Sequence, residues 1–327
     1  MPESATERRG EVLGRTRRLF VRYSFAFALM LAIALLIANL VKTPNFGWTF
    51  ELASLAPLAL AAMASTPSII SGGGGFDLSI SPLMALVNIV FVFYLAPHGL
   101  GGVLGVIIVL VLGALVGTVN GLLIILARVP PIVATLATYF ILIGIDLQIA
   151  SSPRELQGST WISHLAGTVW HIPGALFTIP VPLLIWFLLS RIPYRSMLYA
   201  VGSNDATSFA SGVNVARVRV AAYALGGLFA AIGGLALTGL VNSAAGTTAS
   251  SYTLVAIASV ALGGTSLWGG RGGLFGSLIG AITIYLLQTL LSSFQVSSSW
   301  LEVVYGIALL VAVCFGGLVT RRRVAPA

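Results

Sequence analysis

Proton transfer, nucleophilic attack and metal binding need titratable or nucleophilic side chains, and this chain is poor in them. It has nine Asp and Glu, three His, one Cys and, among 17 basic residues, a single lysine, Lys42. No His-Glu-x-x-His pair is present to hold zinc, and no Gly-x-Ser-Gly of the kind found in intramembrane serine proteases. A phosphate loop ends in Gly-Lys-Ser/Thr, whereas Lys42 follows Val41, so ATP has no such site here. Ion coupling usually rests on acids inside a membrane, and the candidates are Asp77 and Asp146. Trp161, His164, Trp170 and His171 crowd the segment from Ser151 to Ile172, where interfacial aromatics and solvated histidines are the simplest reading. His98 reads the same way. Cys314 is alone, which excludes a disulfide within the chain.

The elements that must position these few groups are membrane helices. Of 327 residues, 57% are hydrophobic and 8% charged, against about 25% charged in soluble domains. An all-α polytopic protein of about ten spans is expected. Breaks at charges, prolines and glycine clusters place the spans at Tyr23 to Val41, Ala53 to Ile70, Ile80 to Leu95, Val103 to Ala127 and Val133 to Ala150. The second half has Pro173 to Leu189, Val220 to Leu240, Tyr252 to Gly269, Leu274 to Phe294 and Trp300 to Leu318. Residues 1–22 form a basic segment without the apolar core of a signal peptide, residues 23–318 the membrane domain, and residues 319–327 a tail. With the N-terminus cytoplasmic, 15 of the 17 basic residues fall inside and only Lys42 and Arg154 outside, as the positive-inside rule requires. The basic residues flank apolar segments and form no stripe with interleaved aromatics, so no nucleic-acid partner is expected.

The chain also repeats itself. Gly99-Leu-Gly-Gly-Val-Leu-Gly105 matches Gly270-Arg-Gly-Gly-Leu-Phe-Gly276 at an offset of 171, and Ser79, Leu83, Ala85 and Leu86 align without a gap on Ser250, Leu254, Ala256 and Ile257. An offset of five spans inverts the second copy, the pattern of transporters that expose one path alternately to each side. The competing reading is chance matching among 37 glycines. The third and eighth spans are short, about 24 Å for Ile80 to Leu95 at 1.5 Å per residue, and short glycine-interrupted spans in matching positions point to a substrate path. Ser71-Gly-Gly-Gly-Gly-Phe-Asp77-Leu-Ser79 precedes the third span, either as backbone that bends into the path or as a tight cytoplasmic turn. Gly113, Gly117 and Gly121, with Gly276 and Gly280, form flat faces for close helix approach.

Between Arg191 and Arg219 a short helix is expected, capped by Asn204 and ended by Gly212. Ala206, Phe209, Ala210 and Val213 give it an apolar stripe at helical spacing, suited to a partner's groove or to the lipid interface.

Three blocks resemble the permease subunits of bacterial ABC importers for monosaccharides, the ribose, xylose and galactose group. Ser71 to Ser79 is similar to Ser-Gly-Gly-Ile-Asp-Leu-Ser, with two extra residues in the glycine run and Ser81-Pro82 where Gly-Ser is usual. Tyr199-Ala-Val-Gly-Ser-Asn-Asp-Ala206 through Ser211-Gly-Val-Asn214 resembles Tyr-Ala-Ile-Gly-Gly-Asn…Ser-Gly-Ile-Asn. Leu262-Gly-Gly-Thr-Ser-Leu-Trp-Gly-Gly-Arg-Gly272 matches Leu-Gly-Gly-Thr-Ser-Leu-x-Gly-Gly-x-Gly. The resemblance implies a type II importer-like permease in the bacterial cell membrane, paired with a second copy or a paralogue. It would dock a tandem cytoplasmic ATPase that binds ATP and Mg, and receive solute from an extracytoplasmic binding protein. The chain itself would hold no cofactor and catalyse nothing. By that resemblance Gly202, Asn204, Asp205 and Gly212 belong to the loop that meets the ATPase, joined by Ala206 and Phe209 of the predicted helix. The path is expected at Asp77, Ser79, Thr265 and Ser266. Related permeases for nucleosides or branched-chain amino acids, and a self-sufficient carrier using Asp77 or Asp146, are the alternatives.

Overall fold

The structure is a computed structural model that describes residues 25–157, 161–246 and 252–297, with positions 300, 303, 304, 306, 307 and 310. The basic segment 1–22, the tail 319–327, Cys314 and most of the tenth predicted span lie outside the described residues. Twelve α-helices are described: α1 (Ala26–Lys42), α2 (Trp48–Ile70), α3 (Ile80–Val90), α4 (Val103–Leu126), α5 (Pro131–Ile149), α6 (Ala175–Thr178), α7 (Pro180–Leu189), α8 (Tyr194–Ser203), α9 (Asp205–Ala210), α10 (Val215–Val241), α11 (Tyr252–Leu262) and α12 (Leu274–Ser293). One π-helical turn, Phe91–Leu95, extends α3. Among the described residues, sheet is confined to two-residue strands, β1 (Arg154–Glu155) against β4 (Ser243–Ala244) and β2 (Thr168–Val169) against β3 (Ile172–Pro173).

Among the described residues five helices, α2, α4, α5, α10 and α12, are long and apolar enough to cross a bilayer. The run from α6 through α7 meets α8 at 89° and makes a sixth if the bent pair is counted as one span. The shorter apolar helices α1, α3 with its π turn, and α11 coincide with the first, third and eighth predicted segments. The eighth stops at Leu262 rather than at the expected Gly269. Gly263 lies so close to Gly276 that a side chain would strike its carbonyl, and the chain leaves the helix there to form a loop.

The core is built on α2 and α10. α2 is rich in alanine, with Ala56, Ala59, Ala61, Ala62 and Ala64 all buried, and such small side chains let α10, α11 and α12 approach it. Contact points show the directions. Gly113 and Gly117 of α4 lie against Gly227 and Tyr223 of α10, and Ala64 and Leu60 of α2 lie against Gly226 and Gly233 of α10, so both pairs run antiparallel. Polar bridges tie the outer helices: Asn39 Nδ2 donates to the Leu286 carbonyl at 2.9 Å, Thr66 to Ser277 at 2.7 Å and Tyr285 to Glu51 at 2.7 Å. Each is worth about 0.6 kcal/mol in a membrane protein.

The repeat is visible in these elements. α2 ends at Ile70 and α10 at Val241, while α4 starts at Val103 and α12 at Leu274, each pair 171 positions apart. The two copies interlock: α4 of the first packs on α10 of the second, and α12 of the second packs on α2 of the first.

Candidate functional site

The loop predicted between Arg191 and Arg219 contains two helices, one more than expected. Pro193 follows Arg191 and Ile192 at the break where the chain turns, and α8 then runs to Ser203. Arg195 stacks over Trp186 and Tyr199, at 5.4 and 5.8 Å from the ring centres. Burial pushes the Tyr199 phenol up, and Arg195 only partly offsets this. Its hydroxyl therefore stays a donor, and it donates a hydrogen bond to the Gly272 carbonyl at 2.6 Å. Asn204 is extended between the two helices and caps α9 as expected, accepting from Thr207 N–H at 3.0 Å. Gly212, with φ +83°, closes it, and Asn214 caps α10 through Arg217 N–H. Ser208 is the buried side of α9, while Ala206, Phe209 and Ala210 face outward, Phe209 at 75% exposure. Three of the four stripe residues are thus turned away from the chain's own core, while Val213, beyond the end of α9, packs against it. Beside α9 lies a cleft of about 580 Å³ lined by Ile125, Phe209, Val213 and Val215 among others.

The three motif blocks converge at one junction under α9. Gly270 N–H donates to the Ile70 carbonyl at 3.0 Å. Gly202 is pressed against that same carbonyl, where any side chain would collide. Arg219, one turn into α10, sends Nη2 to both carboxylate oxygens of Asp205 at 2.9 Å and to the Ser71 carbonyl at 3.3 Å. Thr265 and Ser266 belong to this junction: Thr265 Oγ1 accepts from Gly273 N–H at 3.2 Å and Ser266 N–H donates to Arg271 at 3.1 Å. They shape the loop from Gly263 to Gly273.

Asp77 and Ser79 lie elsewhere, at the start of α3. Ser79 donates to Asp77 Oδ1 through its hydroxyl at 2.6 Å and its N–H at 3.0 Å. Asn120 of α4 donates to Ser79 Oγ at 2.8 Å, and Thr138 of α5 donates to Asn120 Oδ1 at 2.6 Å. All four are buried, so the carboxylate ends a chain of hydrogen bonds across three elements. Next to it, Ser81 N–H donates to Thr253 Oγ1 at 3.3 Å, and Thr253 donates to the Leu78 carbonyl at 3.2 Å. The first turns of the two short helices α3 and α11 therefore meet inside the bundle. Sequence reasoning missed Asn120, Thr138 and Thr253. The available signal was a polar side chain within an otherwise apolar span, since Asn120 is the one amide in α4.

Asp146, fully buried on α5, has neither oxygen hydrogen-bonded, and no ion pair reaches it among the described residues. In the segment from Ser151 to Ile172 Trp161 Nε1 donates to the Gly101 carbonyl at 2.7 Å, and Trp170 and His171 form the exposed left-handed turn between β2 and β3. No group of three metal-ligating side chains occurs among the described residues.

Comparison with known proteins bears on what such a junction serves. The chain is 37% identical over 249 residues to the ribose import permease protein of Bacillus subtilis, covering 73% of this chain and 76% of that one. It is 32% identical over 261 residues to the ribose import permease protein of Escherichia coli K12, covering 77% and 80%. It is also 29% identical over 278 residues to the fructose import permease protein of Rhizobium meliloti, covering 82% and 77%. No solved structure matches. Residues 47–313 match the family described as branched-chain amino acid transport system, permease component. That match takes in all three motif blocks and both short helices, so the chain belongs to this family of membrane permease components.

Proposed function

We propose that this protein is one half of the translocation pathway of an ATP-driven importer for a monosaccharide or a related polyol. The observation that carries the reading is the junction: an outward-facing apolar helix, α9, tied through Asp205 and Arg219 to the loop that leads into Asp77. A partner pushing on α9 moves the start of α3. The ribose and fructose permeases among the relatives favour a sugar over the amino acid in the family's description.

In this reading a tandem ATPase binds ATP and Mg and docks on Ala206, Phe209 and the cleft beside them. Gly202, Asn204, Asp205 and Gly212 hold the docking helix in place. A second copy or a paralogue completes the cavity, and a solute-binding protein delivers from outside. Ten spans put both termini in the cytoplasm of a bacterial cell. Solute passes near the meeting of α3 and α11, beside Asp77 and Ser79, and Thr265 and Ser266 shape the loop that closes it from the cytoplasmic side.

The test is reconstitution in liposomes with a tandem ATPase and a solute-binding protein of the same importer, with D-ribose and D-fructose as probes. Uptake that requires internal ATP supports the reading. Uptake by the permease alone on a proton or sodium gradient overturns it in favour of a carrier.

A further inference from the structure

We propose that Arg219 is a positioning residue that couples the docking helix to the glycine loop, by holding Asp205 and the Ser71 carbonyl with one guanidinium nitrogen. The inference deepens the importer reading and rests on it.

The geometry sets what can move. Arg219 rises from α10, a helix buried along most of its length, so the root of its side chain is fixed. Asp205 opens the six-residue helix α9, and half of its side chain is exposed, against 11% for Arg219. Residues 72 to 75 are all glycine and offer no side chain by which a neighbour could grip the loop. Within the loop Gly75 N–H donates to Gly72 at 3.1 Å and Phe76 N–H to Gly74 at 2.7 Å, and from outside it Thr135 of α5 donates to the Phe76 carbonyl at 3.2 Å. Gly72 packs on Gly202 and Gly269, and toward α10 it is Arg219 that holds the entrance of the loop, through Ser71, with its guanidinium over Gly73. A Cβ at Gly73 would come within 3.0 Å of Nη2. Arg219 Nε is buried without a hydrogen bond, a spare donor that lets the group change partners. Any shift of Asp205 on docking alters the hold on Ser71, and six residues later the chain reaches Asp77.

Two glycines give a controlled test. Gly73 and Gly74 have nearly the same left-handed φ, +64° and +73°, but a Cβ at Gly74 meets nothing within 4 Å. Gly73→Ala and Gly74→Ala therefore carry the same backbone strain, and only the first displaces Arg219. In assembled transporter, solute imported per ATP hydrolysed should fall about fivefold or more in Gly73→Ala relative to Gly74→Ala. Asp205→Asn and Arg219→Gln should show the same fall relative to wild type, and the charge-exchanged pair Asp205→Arg with Arg219→Asp should not recover it, because a carboxylate at 219 has no proton to donate to the Ser71 carbonyl. Equal ratios in the two alanine variants, or variants that only lower the amount of complex at constant ratio, overturn the proposal and leave Arg219 a structural residue. In the purified permease, hydrogen exchange over residues 71–79 should rise in Asp205→Asn, and unchanged exchange also overturns it. If the wild type imports neither D-ribose nor D-fructose, those two solutes are excluded and the exchange measurement decides the coupling by itself.

Discussion

Thr253 lies against Ser81, with Ser81 N–H donating to its hydroxyl at 3.3 Å, so two short helices from opposite halves of the repeat meet by their first turns. The same hydroxyl donates to the Leu78 carbonyl and joins both helices to the end of the glycine loop. In apolar surroundings an unmade bond at such a point is costly. Thr253→Val should destabilise the permease in detergent by about 1–2 kcal/mol, and Thr253→Ser should keep most of that. Equal melting temperatures for Val and Ser variants would show that the hydroxyl is idle.

Ser79 is the middle of the buried chain from Asp77 to Asn120. Ser79→Ala leaves Asp77 without its 2.6 Å donor and Asn120 Nδ2 without an acceptor. The expected cost is about 2–3 kcal/mol, because a buried donor and a buried acceptor both lose their partner. Thr138→Val, which removes only the last link, should cost about 1 kcal/mol. Thermal unfolding followed by cysteine accessibility or tryptophan fluorescence would rank them, and the reverse ranking would sink the chain as described.

Phe209 exposes most of its ring and touches no core, so Phe209→Asp should insert and fold normally. Its affinity for the ATPase should fall by about 2 kcal/mol, as for an aromatic hot spot, roughly thirtyfold. Co-purification and ATP-driven uptake measure this. Wild-type binding in that variant would remove α9 as the docking element.

Gly117 packs under the Tyr223 carbonyl, where any Cβ collides, whereas Gly144 has open space. Gly117→Leu should force α4 off α10 and cost about 3 kcal/mol or more, comparable to severe overpacking. Gly144→Ala should stabilise its helix by about 0.5–1 kcal/mol. Yield of monodisperse protein and melting temperature read both.

Much of this was legible in the residues. The apolar runs, the glycine face of α4, the cap at Asn204 and the 171-residue offset all express local rules: hydropathy, helical period, side-chain size and backbone bonding within a few positions. The outward stripe of Ala206, Phe209 and Ala210 was legible too, but not that Val213, expected on the same stripe, turns back to the core. Sequence placed Asp77, Ser79, Thr265 and Ser266 together on one path. The structure separates them, the first two to the meeting of α3 and α11 and the others to the loop against Ile70 and Ser203.

The sequence by itself determined a membrane permease built from two related halves, because burial in lipid demands apolar helices and these repeat in register. Only the tertiary structure decided that Asp205 is held by Arg219, that Gly202 and Gly270 close on Ile70, and that Asn120 reaches Ser79. Those contacts join residues 14 to more than 100 positions apart. They depend on which faces of α2, α4 and α10 pack together, which no spacing within a single helix encodes.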